Sequence, residues 1–471
     1  MAGGRAAAGA SHGDDARRRA DRLVALIDRS LNRAVNAILH HPGFQGLEAR
    51  WRGLSYLVGA AQGGGHGSGT VAVKVLAVSW RELARDFERA VEFDQSHLFE
   101  LVYAREFGMP GGEPFGLLLG DYAVGHRVDP VARTDDVATL QGIAGVAAAA
   151  FAPFLAGLKP AALALDGFAD LDGLPNLAAI FDGPDFVRWK SLRETEDCRF
   201  VGLLAPRVLM RTPHRAHHRP RIDGFPFEEE VRADGAALLW GSPVYAFARV
   251  VLRAFEASGW FADLRGVPQD QEGGGLVADL PTLSFSTDRP GLAAQPPVEL
   301  RLTAAQERQL ADHGIIPVGH VPFTAALVFN ANPSLHRPAR VMGLAAEENA
   351  RLAAMLQYVL CASRFAHTLK VMMRDQVGRL GGAPAVERLI VDWLARYRLG
   401  SDSAEAELKA RYPLRDAGVE IREIPGRPGV LGCTLRLQPH FQLDDVAASF
   451  QLVAEVTTAQ GAAQGAAQGA A

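Results

Sequence analysis

Three cysteines in 471 residues, Cys198, Cys361 and Cys433, are odd in number and far apart. Neither a disulfide framework nor a zinc site is indicated, and a reducing compartment fits best. Charge of one sign is also missing: 49 basic and 53 acidic residues leave a net charge of −4. No basic excess suggests nucleic acid, and no acidic block forms a charged tail. The N-terminus, MAGGRAAAGASHGDDARRRADR, lacks the apolar run of a secretory signal. Long hydrophobic runs are scarce as well. Leu140–Leu158 carries no charge, but it is mostly Ala and Gly, Pro153 interrupts it and Lys159-Pro160 ends it. Alanine contributes little to membrane insertion, so the stretch reads as a buried, proline-kinked core helix.

What is present is clearest at the C-terminal end, from Lys409 to Glu455. Val419 and Ile421 alternate there with Glu420 and Arg422, and Cys433, Leu435 and Leu437 with Thr434 and Arg436. Phe450, Leu452, Ala454 and Val456 repeat the pattern. A period of two marks half-buried antiparallel strands, and Pro425-Gly426 and Pro428-Gly429 suit a connection between them. A small sheet has edges, and edges pair with something. This points to assembly.

Upstream, residues 1–20 read as a disordered leader. Val24, Ile27, Leu31, Val35 and Ile38 make one apolar face of a helix that Pro42 closes. A second helix over Phe44–Ala61 should bury Leu47, Trp51, Leu54 and Leu57 or Val58. These helices form a segment 21–62. An α/β (α+β mixed) core of 63–345 follows, with strands expected at Val71–Val78, Phe115–Leu119, Leu163–Leu165, Val201–Leu204, Ile316–Val321 and Ala326–Phe329. A C-terminal domain, 346–458, opens with helices over Glu347–Leu380 and Val386–Arg398 and ends in the strands. The AQG repeat of 459–471 is a low-complexity tail.

Candidate chemistry is thin. Gly63–Gly69 lacks the spacing of a phosphate loop and precedes a strand, so it reads as a linker. His214, His217 and His218 form HxxHH, but with arginine neighbours and no nearby Glu base, which disfavours a metal. His40-His41 suits the exposed carbonyls of a helix end. Asp166, Asp170 and Asp172 lack the closing Glu of a calcium loop and read as capping residues. Glu228–Glu230, and Glu194, Glu196 and Asp197 beside Arg193 and Arg199, read as surface ion pairs or interface charges. No HExxH or CxxC occurs. Catalytic residues, cofactors and metals are therefore all expected to be none. The competing reading is a soluble α/β enzyme with a site in the 198–230 loops.

Several blocks, in order, resemble the large subunit of the type VI secretion contractile sheath (the TssC, VipB or EvpB family). They are AILHHPGFQGLEARWRGLSYLV (Ala37–Val58), FGMPGGEPFGLLLGDY (Phe107–Tyr122), WKSLRETEDCRFVGLLAPRVLMR (Trp189–Arg211), FPFEEE (Phe225–Glu230), LLWGSPVYAFA (Leu238–Ala248), SRFAHTLKVMMRD (Ser363–Asp375) and KARYPLR…PHFQL. The resemblance covers Leu23 to Val456. It implies a phage-tail-sheath-like core and a C-terminal antiparallel strand and helix domain used in inter-subunit sheets. It also implies a bacterial cytoplasmic protein without membrane insertion or nucleic acid. The implied partners are a small sheath subunit (TssB/VipA-like), further copies in a helical polymer, an inner-tube protein (Hcp-like) and a baseplate. A ClpV-type disassembly ATPase recognises a leader helix in this family. Here only 40 residues precede His41-Pro42 and the first fifteen are low complexity, so that contact is where the sequence departs from the pattern. Val419, Ile421, Cys433, Leu435, Leu452 and Val456 are the strand positions expected to pair between protomers.

Overall fold

A computed structural model of the chain describes residues 4–63, 71–109, 111–129, 132–173, 176–215, 225–231, 235, 237–261, 263–267, 273–283, 295–339, 342–375, 383–400, 406–423, 430–440 and 450–457. Its main helices are α1 (Gly4–Leu39), α2 (Pro42–Gly63), α3 (Trp80–Arg89), α4 (Asp136–Ala150), α5 (Val187–Glu194), α6 (Val244–Ser258), α7 (Ala304–Asp312), α8 (Leu344–Ala353), α9 (Leu356–Asp375) and α10 (Ala383–Ala395). Its main strands are β1 (Leu118–Val124), β2 (Phe154–Leu158), β3 (Val201–Ala205), β4 (Val208–Arg211), β5 (Leu239–Gly241), β6 (Ile315–Pro317), β7 (Leu414–Glu423), β8 (Val430–Pro439) and β9 (Phe450–Thr457).

The central sheet runs β1-β2-β3-β6, all parallel and in chain order. Of the helices in these crossovers, α4, α5 and α7 lie on one face, whereas α6, also between β3 and β6, lies on the other. The period of two then sorts the strand residues. Phe154, Ala156, Leu158, Val201, Leu203, Ala205 and Ile315 join the core under α4, α5 and α7. Leu155, Leu204 and Ile316 join the opposite core, where α2 and α6 pack. Both faces are covered, which is why these strands read as short apolar runs.

α2 is seated on α6 through Gly53. A Cβ there would lie 2.3 Å from the Tyr245 ring, so the two helices approach at a distance only glycine permits. Gly53→Ala would gain about 1 kcal/mol of helix propensity but lose about 1–3 kcal/mol to overpacking, so we expect net destabilisation. A urea midpoint equal to the parent's would show that this contact can relax freely.

Several expectations need correction. The leader is helical from Gly4, because the alanines and arginines of residues 5–22 are strong helix formers. Leu140–Leu158 is not one kinked helix: α4 ends at Ala150, Pro153 lies in the connection, and Phe154–Leu158 is β2. Leu163 closes a 3₁₀ turn, Pro160–Leu163, and is not in a strand. The first core strand sits at Leu118–Val124, later than expected. Val71–Val78 forms no ladder and is largely solvent-facing, with Val75 68% exposed. The long helix expected over Glu347–Leu380 breaks at Ala354–Met355. There the Leu356 N–H donates to Asn332 O (2.8 Å) and the Ser334 N–H to Ala354 O (3.0 Å), so the chain of 332–334 occupies the gap. The expected linker at Gly63–Gly69, apart from Gly63, and the AQG tail lie outside the described residues.

Candidate assembly surfaces

β7, β8 and β9 form an antiparallel sheet in that order. Val419 faces Leu435, and Ile421 faces Cys433 across the first ladder. Leu435 is opposite Leu452, and Leu431 opposite Val456, in the backbone register of the second. Cys433, Leu435 and Leu437 are buried against Phe365, Trp393 and Leu394, with Val419 and Ile421 packed at the margin. Burial pushes the Cys433 thiol up to about 11, so it stays a neutral thiol that serves packing. The other face is polar, with Glu420, Arg422 and Arg436 exposed. β8 lies in the middle and both its ladders are filled by the same chain. The backbones of Cys433 and Leu435 are therefore committed internally. Beyond the isolated bridge from Leu414 to Arg398, no strand lies along the outer edge of β7 or β9 among the described residues.

The second surface is the N-terminal arm. α1 touches the body near its C-terminal end, through two asparagines one turn apart. Asn36 Nδ2 donates to Glu228 O (3.1 Å), the Glu230 N–H donates to Asn36 Oδ1 (2.9 Å), and the Glu228 N–H donates to Asn32 Oδ1 (3.1 Å). Side chains here stand in for a neighbouring strand. Glu229, between those two residues, points inward to a two-pronged contact with Arg211, at 2.5 and 3.1 Å. Arg211 Nε also donates to Glu48 Oε1 of α2 (2.8 Å), and the His214 N–H donates to Glu229 Oε2 (2.9 Å). Burial opposes the charge on Arg211, but the Glu229 and Glu48 hydrogen bonds outweigh it and hold the guanidinium pKa above its usual value. Burial also works against ionised Glu229, and Arg211 with the His214 amide overrides it, holding that carboxyl below its usual range.

The apolar faces expected to be buried on these helices are partly open. Leu23, Ile27 and Leu31 on α1 are exposed, as are Leu47 and Trp51 on α2, Trp51 at 65%. More than half of the exposed large apolar side chains among the described residues fall between Leu23 and Leu76. Helical periodicity identifies such a face, but not whether the chain itself covers it.

The other candidates stay apart. His217 and His218 lie outside the described residues, and His214 contributes its backbone to Glu229. His40 Nε2 sits 3.5 Å from Glu229 Oε1, and His41 Nδ1 accepts from the Gly43 N–H (3.2 Å). Asp170 accepts from the Gly167 N–H (2.9 Å), a capping contact. Arg199 pairs with exposed Glu196 (2.8 Å), whereas buried Arg193 donates to Leu335 O (3.0 Å). A GxSxG spacing, Gly9–Gly13, falls inside α1 and not at a strand-to-helix turn, so it is no nucleophile elbow. Sequence reasoning missed Glu229 as a buried group. Its signal was the Phe225–Glu230 block, whose alternation turns one carboxylate inward. Among the described residues no helix is long and apolar enough to cross a membrane.

A family model described as EvpB/VC_A0108, tail sheath N-terminal domain, matches residues 21–336. A second, the EvpB/VC_A0108 tail sheath gpW/gp25-like domain, matches residues 345–456. The chain is 35% identical over 453 residues to the type VI secretion system sheath protein TssC1 of Pseudomonas aeruginosa, covering 95% of this chain and 88% of that protein. Among solved structures, a sheath tail protein from Desulfitobacterium hafniense aligns at 9% identity and a TM-score of 0.35, over 72% of this chain and 56% of that one. A chain of the anti-feeding prophage baseplate aligns at 12% identity and a TM-score of 0.37, over 82% and 79%.

Proposed function

The chain belongs to the EvpB/VipB tail sheath family, as a large subunit of the type VI secretion contractile sheath, and from that premise we propose how its protomer builds a tube. The observation that carries the reading is the arrangement of the C-terminal sheet: β8 is paired on both sides, and among the described residues only the isolated bridge at Leu414 lies on the outer edges of β7 and β9. These edges pair with strands of neighbouring protomers and of the small sheath subunit, a case of β-augmentation. A heterologous contact of this kind does not close on itself and so generates a helix. Contraction is then a rigid-body reorientation of protomers joined through shared sheets. An Hcp-like tube fills the lumen, a baseplate terminates one end, and the exposed apolar stripe of α1 offers a ClpV-type ATPase a handle. The bacterial cytoplasm is where such a tube is assembled.

Of the six strand positions, Val419 and Ile421 on β7 and Leu452 and Val456 on β9 lie on the strands proposed to pair outward. Cys433 and Leu435 hold the sheet to its own helices. Coexpression of the Ile421→Pro/Leu452→Pro variant with the small subunit should yield no hollow tubules by electron microscopy, because proline removes ladder donors. Circular dichroism should still show a folded 63–345 core. Tubules at parental length and number would sink the strand-sharing claim.

A further inference from the structure

α4 ends at Ala150, and Phe151 follows with φ 50° in the left-handed region. The last carbonyls of a helix have no partner inside it. Two of them are met from α9. His367 Nε2 lies 2.6 Å from Ala150 O, and Lys370 Nζ lies 3.4 Å from Ala149 O. A carbonyl only accepts, so Nε2 carries the imidazole proton. Lys370 also stands over the rings of Tyr103, Phe107 and Phe151, at 5.0, 5.0 and 4.7 Å from their centroids. The Phe107 ring in turn lies 5.7 Å from the His367 ring. The negative end of a helix and the faces of aromatic rings both favour a cation at this spot.

The donors and their acceptors come from different parts of the chain. α4, Tyr103, Phe107 and Phe151 fall within the N-terminal sheath domain, residues 21–336, whereas α9 falls within the gpW/gp25-like domain, residues 345–456. His367 and Lys370, three residues apart, share one face of α9. Apolar contacts also cross this boundary, including Trp260 stacked on Phe365 at 4.3 Å. Apolar contacts tolerate sliding. Two donors aimed at two fixed carbonyls, with a cation held by three rings, allow a single alignment. We propose that the C-terminal end of α4 is a latch, closed by His367 and Lys370, that locks the gpW/gp25-like domain to the N-terminal domain so that both move as one body. The latch concerns the protomer alone and stands or falls apart from the strand-sharing reading.

Native-state hydrogen exchange on the full chain tests it. In Lys370→Met, which keeps the apolar stem and loses the charge, amides of α9 and α10 should exchange about tenfold faster through a local opening. Those of β2 and β3 should be unchanged, and Lys370→Arg should stay near the parent. Unchanged exchange in α9 and α10 overturns the latch. Equal acceleration across both domains overturns it too, since Lys370 would then contribute only to global stability. If Lys370→Met does not fold, Phe107→Leu keeps the lysine and thins the cage. It should give the same domain-selective effect at about threefold, and its absence counts equally against the proposal.

Discussion

Replacing Arg211 with methionine should cost about 3–5 kcal/mol of folding stability, the largest effect expected of any single change at the arm. Arg211 is only 7% exposed and holds two carboxylates, Glu229 and Glu48, that come from different parts of the chain. Without the guanidinium, Glu229 retains a backbone donor and a distant imidazole, and its charge stays buried and poorly compensated. The penalty is therefore mainly that of the stranded carboxylate, and a second substitution should reveal this. Arg211→Met/Glu229→Leu removes both charges and should recover much of the loss, because a buried pair replaced by packed apolar groups is often near neutral. Glu48 keeps Arg52 at 2.8 Å in either variant, so it does not confound the comparison. Denaturant midpoints at neutral pH decide the matter. A single-variant loss under about 1 kcal/mol would mean water reaches Glu229 and the network behaves as a surface pair.

Acidification from pH 7 to pH 5 should destabilise the protein by about 2 kcal/mol through His367 alone. Burial, reinforced by nearby Arg364 and Lys370, drives its pKa down from 6.5 to about 4 against the opposing effect of the Ala150 carbonyl. The unfolded chain thus binds a proton below about pH 6.5 that the folded chain refuses until about pH 4. Stability from this group is complete above 6.5 and is lost as pH falls through that window. Glu48 and Glu229, held below their usual range, act in the same direction at lower pH. Comparison with His367→Gln cancels them, since glutamine keeps a donor and does not titrate. Urea midpoints of the two proteins should diverge between pH 7 and pH 5, with the variant falling less. Parallel pH profiles would show that His367 protonates freely in the folded state.

Both effects arise from groups whose partners are remote in sequence, and that separates what the chain discloses from what it withholds. β7, β8 and β9 were legible because a period of two needs only neighbouring residues, and Pro42 ends α1 by a local steric rule. The same local reasoning misplaced Val71–Val78, where the alternation is present but no strand lies beside it. It also missed the break at Ala354, which exists because residues 332–334 insert there. Glu229 looked like part of a surface acidic run until β4 brought Arg211 beneath it. His367 and Lys370 stood inside a recognisable block, yet nothing in Ser363–Asp375 says that a helix ending at Ala150 waits for them. The exposed residues Leu23, Ile27 and Trp51 mark the last boundary: periodicity gives a helix its apolar side but does not say what packs on it.

The filled position of β8 has a consequence for the arithmetic of growth. Under the strand sharing proposed above, a sheet that pairs outward along β7 and β9 behaves, along that contact, as a monomer of valence two. A protomer blocked at β9 but intact at β7 has valence one and acts as a chain stopper. Doping such protomers into a normal population should shorten tubules in inverse proportion to their mole fraction, long before the supply of intact protomers is depleted.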